Sequence, residues 1–191
     1  MIYIIRHGQT EQNQRMCLAG RRDYPLNRKG MDQAREARMR FAEAGITFDT
    51  VISSPLDRAL RTAEVVAPEA EIRVDERLTE MEFGPYEGMD LTKPSPEVLH
   101  FFSDFERNPT PEGMESLESV VSRLGCLLED LKAVSADRNI LLSTHAIAMK
   151  GALTYLSGPG GESWWSKNID NCAVYFTEAI NGHYSFPQLL Q

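Results

Sequence analysis

The sequence predicts an α/β fold in which a mostly parallel central sheet is flanked by helices on both faces. Three observations carry this. Short runs rich in apolar and β-branched residues occur at 2–5, 49–54 and 139–143, the habit of strands buried on both faces. Segments of helical periodicity lie between and after them, and such alternation builds parallel sheets by right-handed crossovers. The 191 residues, 42% hydrophobic and 25% charged, suit one globular domain spanning 1–191 and argue against disorder.

The elements follow in order. Residues 2–5 form a strand that ends in Arg6-His7-Gly8. Asn27 is a candidate N-cap for a helix whose stripe of Met31, Ala34, Ala37, Met39, Phe41 and Ala42 stops at Gly45. A second strand at 49–54 runs into Pro55 and a helix over 56–66. Residues 71–78 read as a third strand and its exit. From 84 to 116 the composition shifts. Pro85, Pro94, Pro96, Pro109 and Pro111 interrupt it and only 96–107 has helical character, which predicts a lid or insertion. A long amphipathic helix resumes over 116–134, and a buried strand at 139–143 leads through Thr144-His145 into a helix ending near 156. Residues 173–177 and 183–186, around Asn181-Gly182, predict a closing hairpin.

Charge and cysteine content exclude several classes. Lys plus Arg number 20 against 28 Asp plus Glu, a net charge of −8, so no general attraction to nucleic acid or an anionic membrane is expected. The three cysteines, Cys17, Cys126 and Cys172, form neither a disulfide framework nor a CxxC motif. The apolar start stops at Arg6, too short for a signal-peptide core, and no later segment approaches a membrane span. A cytoplasmic location is the expectation.

In a parallel sheet, ligands bind beyond the carboxyl ends of the strands. Here three strand ends carry Arg6-His7-Gly8, then Ser53-Ser54-Pro55 with Arg58, then Thr144-His145. Two histidines and two arginines therefore converge on one edge, a suitable site for a phosphoryl dianion. Glu80 and Glu82, both near the exit of the third strand, compete for the role of a general acid. A cysteine-dependent phosphatase would need an arginine six positions after its thiolate, where Asp23, Lys132 and Glu178 stand instead. HExxH and GxxxxGK[ST] are absent from the sequence.

Taken together, these motifs resemble the histidine phosphatase superfamily, the phosphoglycerate-mutase-like group, over nearly the whole chain. The carriers are Arg6-His7-Gly8-Gln9-Thr10-Glu11-Gln12-Asn13, then Gly20, Asp23 and Pro25-Leu26, then Ser53-Ser54-Pro55-Leu56-Asp57-Arg58-Ala59. Leu78-Thr79-Glu80, Phe83-Gly84, Glu115-Ser116 and Ser143-Thr144-His145 complete the series. The resemblance implies a phosphoglycerate mutase-like fold and a metal-free, cofactor-free phosphoryl transfer through a phosphohistidine at His7. It assigns Glu80 as the acid, with Arg6, Arg58 and His145 completing the catalytic set. It places Gln9, Thr10, Asn13, Gly20, Arg21, Glu82 and Ala146 with Arg6, Arg58 and His145 in substrate binding. A protonated His145 would help keep His7 neutral. Arg21 and Ala146 depart from the commoner aromatic and glycine, and Met114 interrupts the usual Gly-Glu-Ser run.

The expected activity is that of a phosphomonoesterase acting on a small phosphorylated metabolite. The insertion is shorter than that of the cofactor-dependent phosphoglycerate mutases, the alternative activity; a non-catalytic phospho-ligand-binding module is a third reading. The oligomeric state, monomer or homodimer, stays open.

Overall fold

The structure, a computed structural model, describes residues 1–161 and 163–190. Its six-stranded sheet has the order β3-β2-β4-β1-β5-β8. The first four strands, β1 (Ile2–Arg6), β2 (Thr50–Ser53), β3 (Ile72–Val74) and β4 (Ile140–Thr144), run parallel. β5 (Val174–Thr177) and β8 (Gln188–Leu189) close one edge in antiparallel fashion.

Strand β1 shows why the sheet is covered on both sides. Successive side chains point to opposite faces. Ile2 and Ile4 accordingly join Val120, Leu124 and Leu127 of α5 (Leu117–Ser135) and Ala148 and Leu153 of α6 (Ala146–Ser157) in one core. Tyr3 and Ile5 face the other way, into a second core with Ala34 and Phe41 of α2 (Arg28–Glu43) and Ala63 and Val66 of α3 (Asp57–Val66). The crossovers on either side of β1 and β4 therefore lie on opposite faces, which opens a crevice at the carboxyl ends of these strands. The fold is the single-domain α/β architecture expected from the sequence.

Two short elements add to it. α1 (Glu11–Gln14) starts at Thr10, whose hydroxyl accepts from the Asn13 N–H while the Asn13 side chain accepts from the Thr10 N–H, a capping box. α4 (Pro96–Ser103) is the helix within the 84–116 segment. It stops short of residue 107 because the Asp104 carboxylate turns back onto the N–H groups of Glu106 and Arg107.

The C-terminal hairpin differs from the expectation. β5 is not its first strand: Val174 is buried and pairs with Ile5 across the main sheet. The hairpin is built from β6 (Ala179–Ile180) and β7 (His183–Tyr184), with Asn181 and Gly182 both at positive φ. β1 has an open edge whose backbone groups need partners, and the edge of β5 supplies them.

The loop after β1 is pinned by a close backbone approach. A Cβ on Gly30, in the first turn of α2, would lie 2.6 Å from the Gln9 nitrogen and closer still to its carbonyl oxygen. In an ordinary helix, Gly→Ala stabilises by about 1 kcal/mol. Here Gly30→Ala is expected to destabilise by roughly 1–3 kcal/mol in urea unfolding; a raised midpoint would show that this approach is not a constraint.

Candidate active site

The parallel register aligns three strand ends. Arg6 pairs with Thr144, and both Ile5 and Ser53 pair with Ser143. His7 and His145 therefore emerge at one level, while Ser54 stands one step earlier in the register, level with Arg6 and Thr144. The His7 and His145 rings lie 5.1 Å apart between centroids.

Backbone contacts fix the His7 tautomer. Its Nδ1 lies 2.7 Å from the Gly8 carbonyl, an acceptor only, so Nδ1 carries the proton and Nε2 keeps a lone pair. The Gly8 N–H in turn donates to Thr62 Oγ1 and the Asn171 amide donates to the His7 carbonyl. Burial, followed by the charges of Arg58 and Arg6, holds the His7 imidazole well below its ordinary range.

Arg58 is fully buried, at 0% exposure. Its Nε donates to His145 Nδ1 at 3.2 Å, and its terminal nitrogens donate to the carbonyls of Arg22 and Gly20. Since Arg58 Nε can only donate, His145 Nδ1 accepts. His145 Nε2 then carries the proton, donated to Ser54 Oγ at 2.8 Å. Burial first, and then Arg58, hold His145 well below the usual imidazole range. The expectation of a protonated His145 is corrected: a guanidinium against its lone pair excludes the second proton.

Arg6 donates to the Ile169 carbonyl through Nη1, while its buried Nε has no partner. Asn13 Oδ1 accepts from the Thr10 N–H and from Asn171 Nδ2, two bonds that do not engage its own NH2 group. A cavity of about 320 Å³ opens over Arg6, His7, Asn13, Glu80 and Ala146.

Glu80 and Glu82 have different surroundings. Glu80 is 4% exposed and reaches the N-terminus of α6, where Oε2 accepts from the Ile147 N–H and Oε1 from the Ala148 and Met81 N–H groups. The Glu82 side chain is 55% exposed and faces Arg21 at 3.7 Å, and Arg21 also reaches Glu115 at 3.5 Å. Arg21 and Glu82 thus stand together beside Glu115, at the end of the 84–116 segment, and neither lines the cavity.

The remaining residues expected to bind substrate occupy supporting positions. The Thr10 hydroxyl caps α1. The Gln9 side chain accepts from Asn27, and the Gln9 N–H donates to Gln33. Gly20 holds Arg58 through its carbonyl and Glu87 through its N–H.

Two residues were not singled out in the sequence. Asn171 enters the site because antiparallel β5 begins where β1 ends. Lys150 follows on α6. Its ammonium donates to the Trp165 carbonyl at 2.8 Å and lies 5.3 Å from the Phe105 ring centroid, and burial pulls it down to about 8. Trp164 and Trp165 are buried.

Comparison with known proteins agrees with this arrangement. The family model described as "Histidine phosphatase superfamily (branch 1)" matches residues 2–189. The "Putative phosphoserine phosphatase 2" of Hydrogenobacter thermophilus is 33% identical over 179 residues, covering 91% of this chain and 86% of the relative. The "Probable phosphoglycerate mutase GpmB" of Escherichia coli is 30% identical over 179 residues, covering 91% and 82%. A mutant phosphoserine phosphatase from Entamoeba histolytica, solved with phosphoserine, superposes with a TM-score of 0.85 at 25% identity, covering 100% of this chain and 96% of that one. The same enzyme solved with 3-phosphoglyceric acid gives 0.86 at 26%, with the same coverage.

The two buried neutral histidines predict acid sensitivity. Both bind protons more weakly in the folded chain than in the unfolded one. The unfolded state therefore takes up the extra protons, and stability falls as pH drops below about 6.5. Each histidine contributes a slope of up to about 1.4 kcal/mol per pH unit. Urea unfolding from pH 7.5 to 5 checks this; His145→Gln should remove part of the slope, and a slope unchanged by that substitution contradicts it.

Proposed function

From its membership of the histidine phosphatase superfamily, and with His7 held as a neutral nucleophile beside Arg6 and the buried Arg58, we propose that the chain is a phosphomonoesterase acting through a phosphohistidine. One observation carries the reading: Arg6, His7, Asn13 and Glu80 line one cavity, and the Gly8 carbonyl holds the His7 proton on Nδ1 so that Nε2 keeps its lone pair.

His7 Nε2 attacks phosphorus in line with the ester oxygen. As the N–P bond forms and the P–O bond breaks, the electron pair leaves on the ester oxygen. Arg6 and Asn13 donate to the equatorial oxygens, and the buried Arg58 charge favours the same spread of negative charge. Glu80 supplies the proton to the leaving oxygen. Its Oε1 already accepts twice and Oε2 once, so the remaining Oε2 lone pair is the one to carry it. The alcohol departs, and Glu80 then takes a proton from the water that attacks the phosphohistidine. Inorganic phosphate is released and His7 regains its lone pair.

No metal or cofactor enters these steps, because two guanidiniums supply the charge that a cation would otherwise contribute. The substrate is a small phosphorylated metabolite, in keeping with the phosphoserine and 3-phosphoglyceric acid held by the amoebal enzyme. The relative named as a phosphoglycerate mutase keeps transfer to a second hydroxyl as the alternative. The short 84–116 segment supports hydrolysis, since a mutase must exclude water from its phosphoenzyme.

His7→Ala should abolish both turnover and acid-labile labelling by substrate. Glu80→Gln should lower kcat on an alkyl phosphate by on the order of 10²–10⁴-fold, whereas Glu82→Gln should act chiefly on KM. Undiminished labelling of His7→Ala, or collapse of Glu82→Gln alone, contradicts these assignments.

A further inference from the structure

The cavity is polar at its floor and apolar above it. Beyond Arg6, His7, Asn13 and Glu80, its walls are Leu18, Phe83, Leu91, Phe102, Phe105 and Ile147, with small residues between. The segment 84–116 supplies three of these, Leu91, Phe102 and Phe105. The aromatic side chains pack as a unit: Phe102 lies 6.5 Å from Phe83 and 5.1 Å from Phe105 between centroids. No cation stands in this upper wall among the described residues.

Two cations lie close to the cavity, and both are engaged outside it. Arg21 stands between Glu82 and Glu115 and does not line the cavity. Lys150 binds the Trp165 carbonyl and lines an adjacent cavity shared with Asp104, Trp165 and Asn168. Phe102 and Phe105 border both cavities and separate them.

We infer that the leaving-group side of this site takes the esters of apolar alcohols, of about the size of one ring or a short alkyl chain. Phosphorylated amino acids and hydroxy acids fit it poorly. The inference rests on the phosphomonoesterase reading and adds the substrate class. A carboxylate or ammonium on the leaving group would be stripped of water against phenylalanine and leucine with no partner, and this is costly. A ring or alkyl chain would gain from burial and from contact with Phe102 and Phe105. The chemistry is the hydrolysis described above: the ester P–O bond breaks, Glu80 protonates the departing oxygen, and water completes the transfer to give a neutral apolar alcohol and inorganic phosphate. This preference departs from the phosphoserine and 3-phosphoglyceric acid bound by the amoebal enzyme.

The test compares alkyl esters, which have similar leaving oxygens: 2-phenylethyl phosphate and n-butyl phosphate against O-phosphoserine and 3-phosphoglycerate. The apolar pair should exceed the charged pair in kcat/KM by about tenfold or more, with most of the difference in KM. Phe105→Ala should shrink that ratio. Leu91→Arg, which places a cation in the wall, should shrink or reverse it in favour of the carboxylated esters, and this gain guards against a misleading loss through misfolding. An equal or higher kcat/KM for the carboxylated esters overturns the inference and leaves the phosphatase reading standing. Absence of turnover on all four together with absence of labelling at His7 overturns both.

Discussion

A buried guanidinium organises this site. Arg58 has no carboxylate at ion-pair distance among the described residues, although it is fully enclosed. Its donors go to two loop carbonyls and one imidazole nitrogen. That arrangement joins three parts of the chain that are remote in sequence: the 20–22 loop, α3 and the end of β4. It also places a permanent charge beside two histidines, and burial, reinforced by that charge, keeps both rings neutral. Burying an unpaired charge is unfavourable in general. Here the cost is reduced by two carbonyl acceptors, one imidazole acceptor and the nearby charges of Glu80, Asp23 and Glu87.

The sheet delivers the remaining geometry. Strands β1 and β4 end in register, so His7 and His145 arrive at the same height, while β2 ends one step earlier and brings Ser54 in beside them. The loop after β1 cannot drift, because it is pressed against the first turn of α2 at Gly30. The first turn of α6 receives Glu80, whose carboxylate takes three backbone N–H groups in the manner of an anion at a helix N-terminus. The result is a rigid polar floor beneath walls drawn partly from an irregular segment. Chemistry and selectivity therefore reside in different parts of the chain.

Much of this was legible in the sequence, for identifiable reasons. β1, β2 and β4 are apolar runs bounded by polar residues, and α2, α3, α5 and α6 carry clear periodicity. The hairpin was read too broadly: periodicity cannot tell whether β5 pairs with its neighbour in sequence or with the vacant edge of β1. Local chemistry could not separate Glu80 from Glu82. The resemblance favoured Glu80, and the structure gives the two carboxylates opposite exposure. Asn171 was not visible, because its place depends on the antiparallel direction of β5. The apolar wall was equally hidden, since Leu91, Phe102 and Phe105 follow no regular spacing and meet only when the segment folds over the cavity.

The central claim is that His7 is neutral, with its proton on Nδ1 and its Nε2 lone pair toward the cavity. Long-range ¹⁵N–¹H NMR of the ¹⁵N-histidine-labelled protein at neutral pH reads this directly. The account predicts a neutral Nδ1–H tautomer for His7 and a neutral Nε2–H tautomer for His145, each titrating only well below the usual imidazole range. An imidazolium signal from either ring at pH 7, or an Nε2–H tautomer for His7, would contradict it.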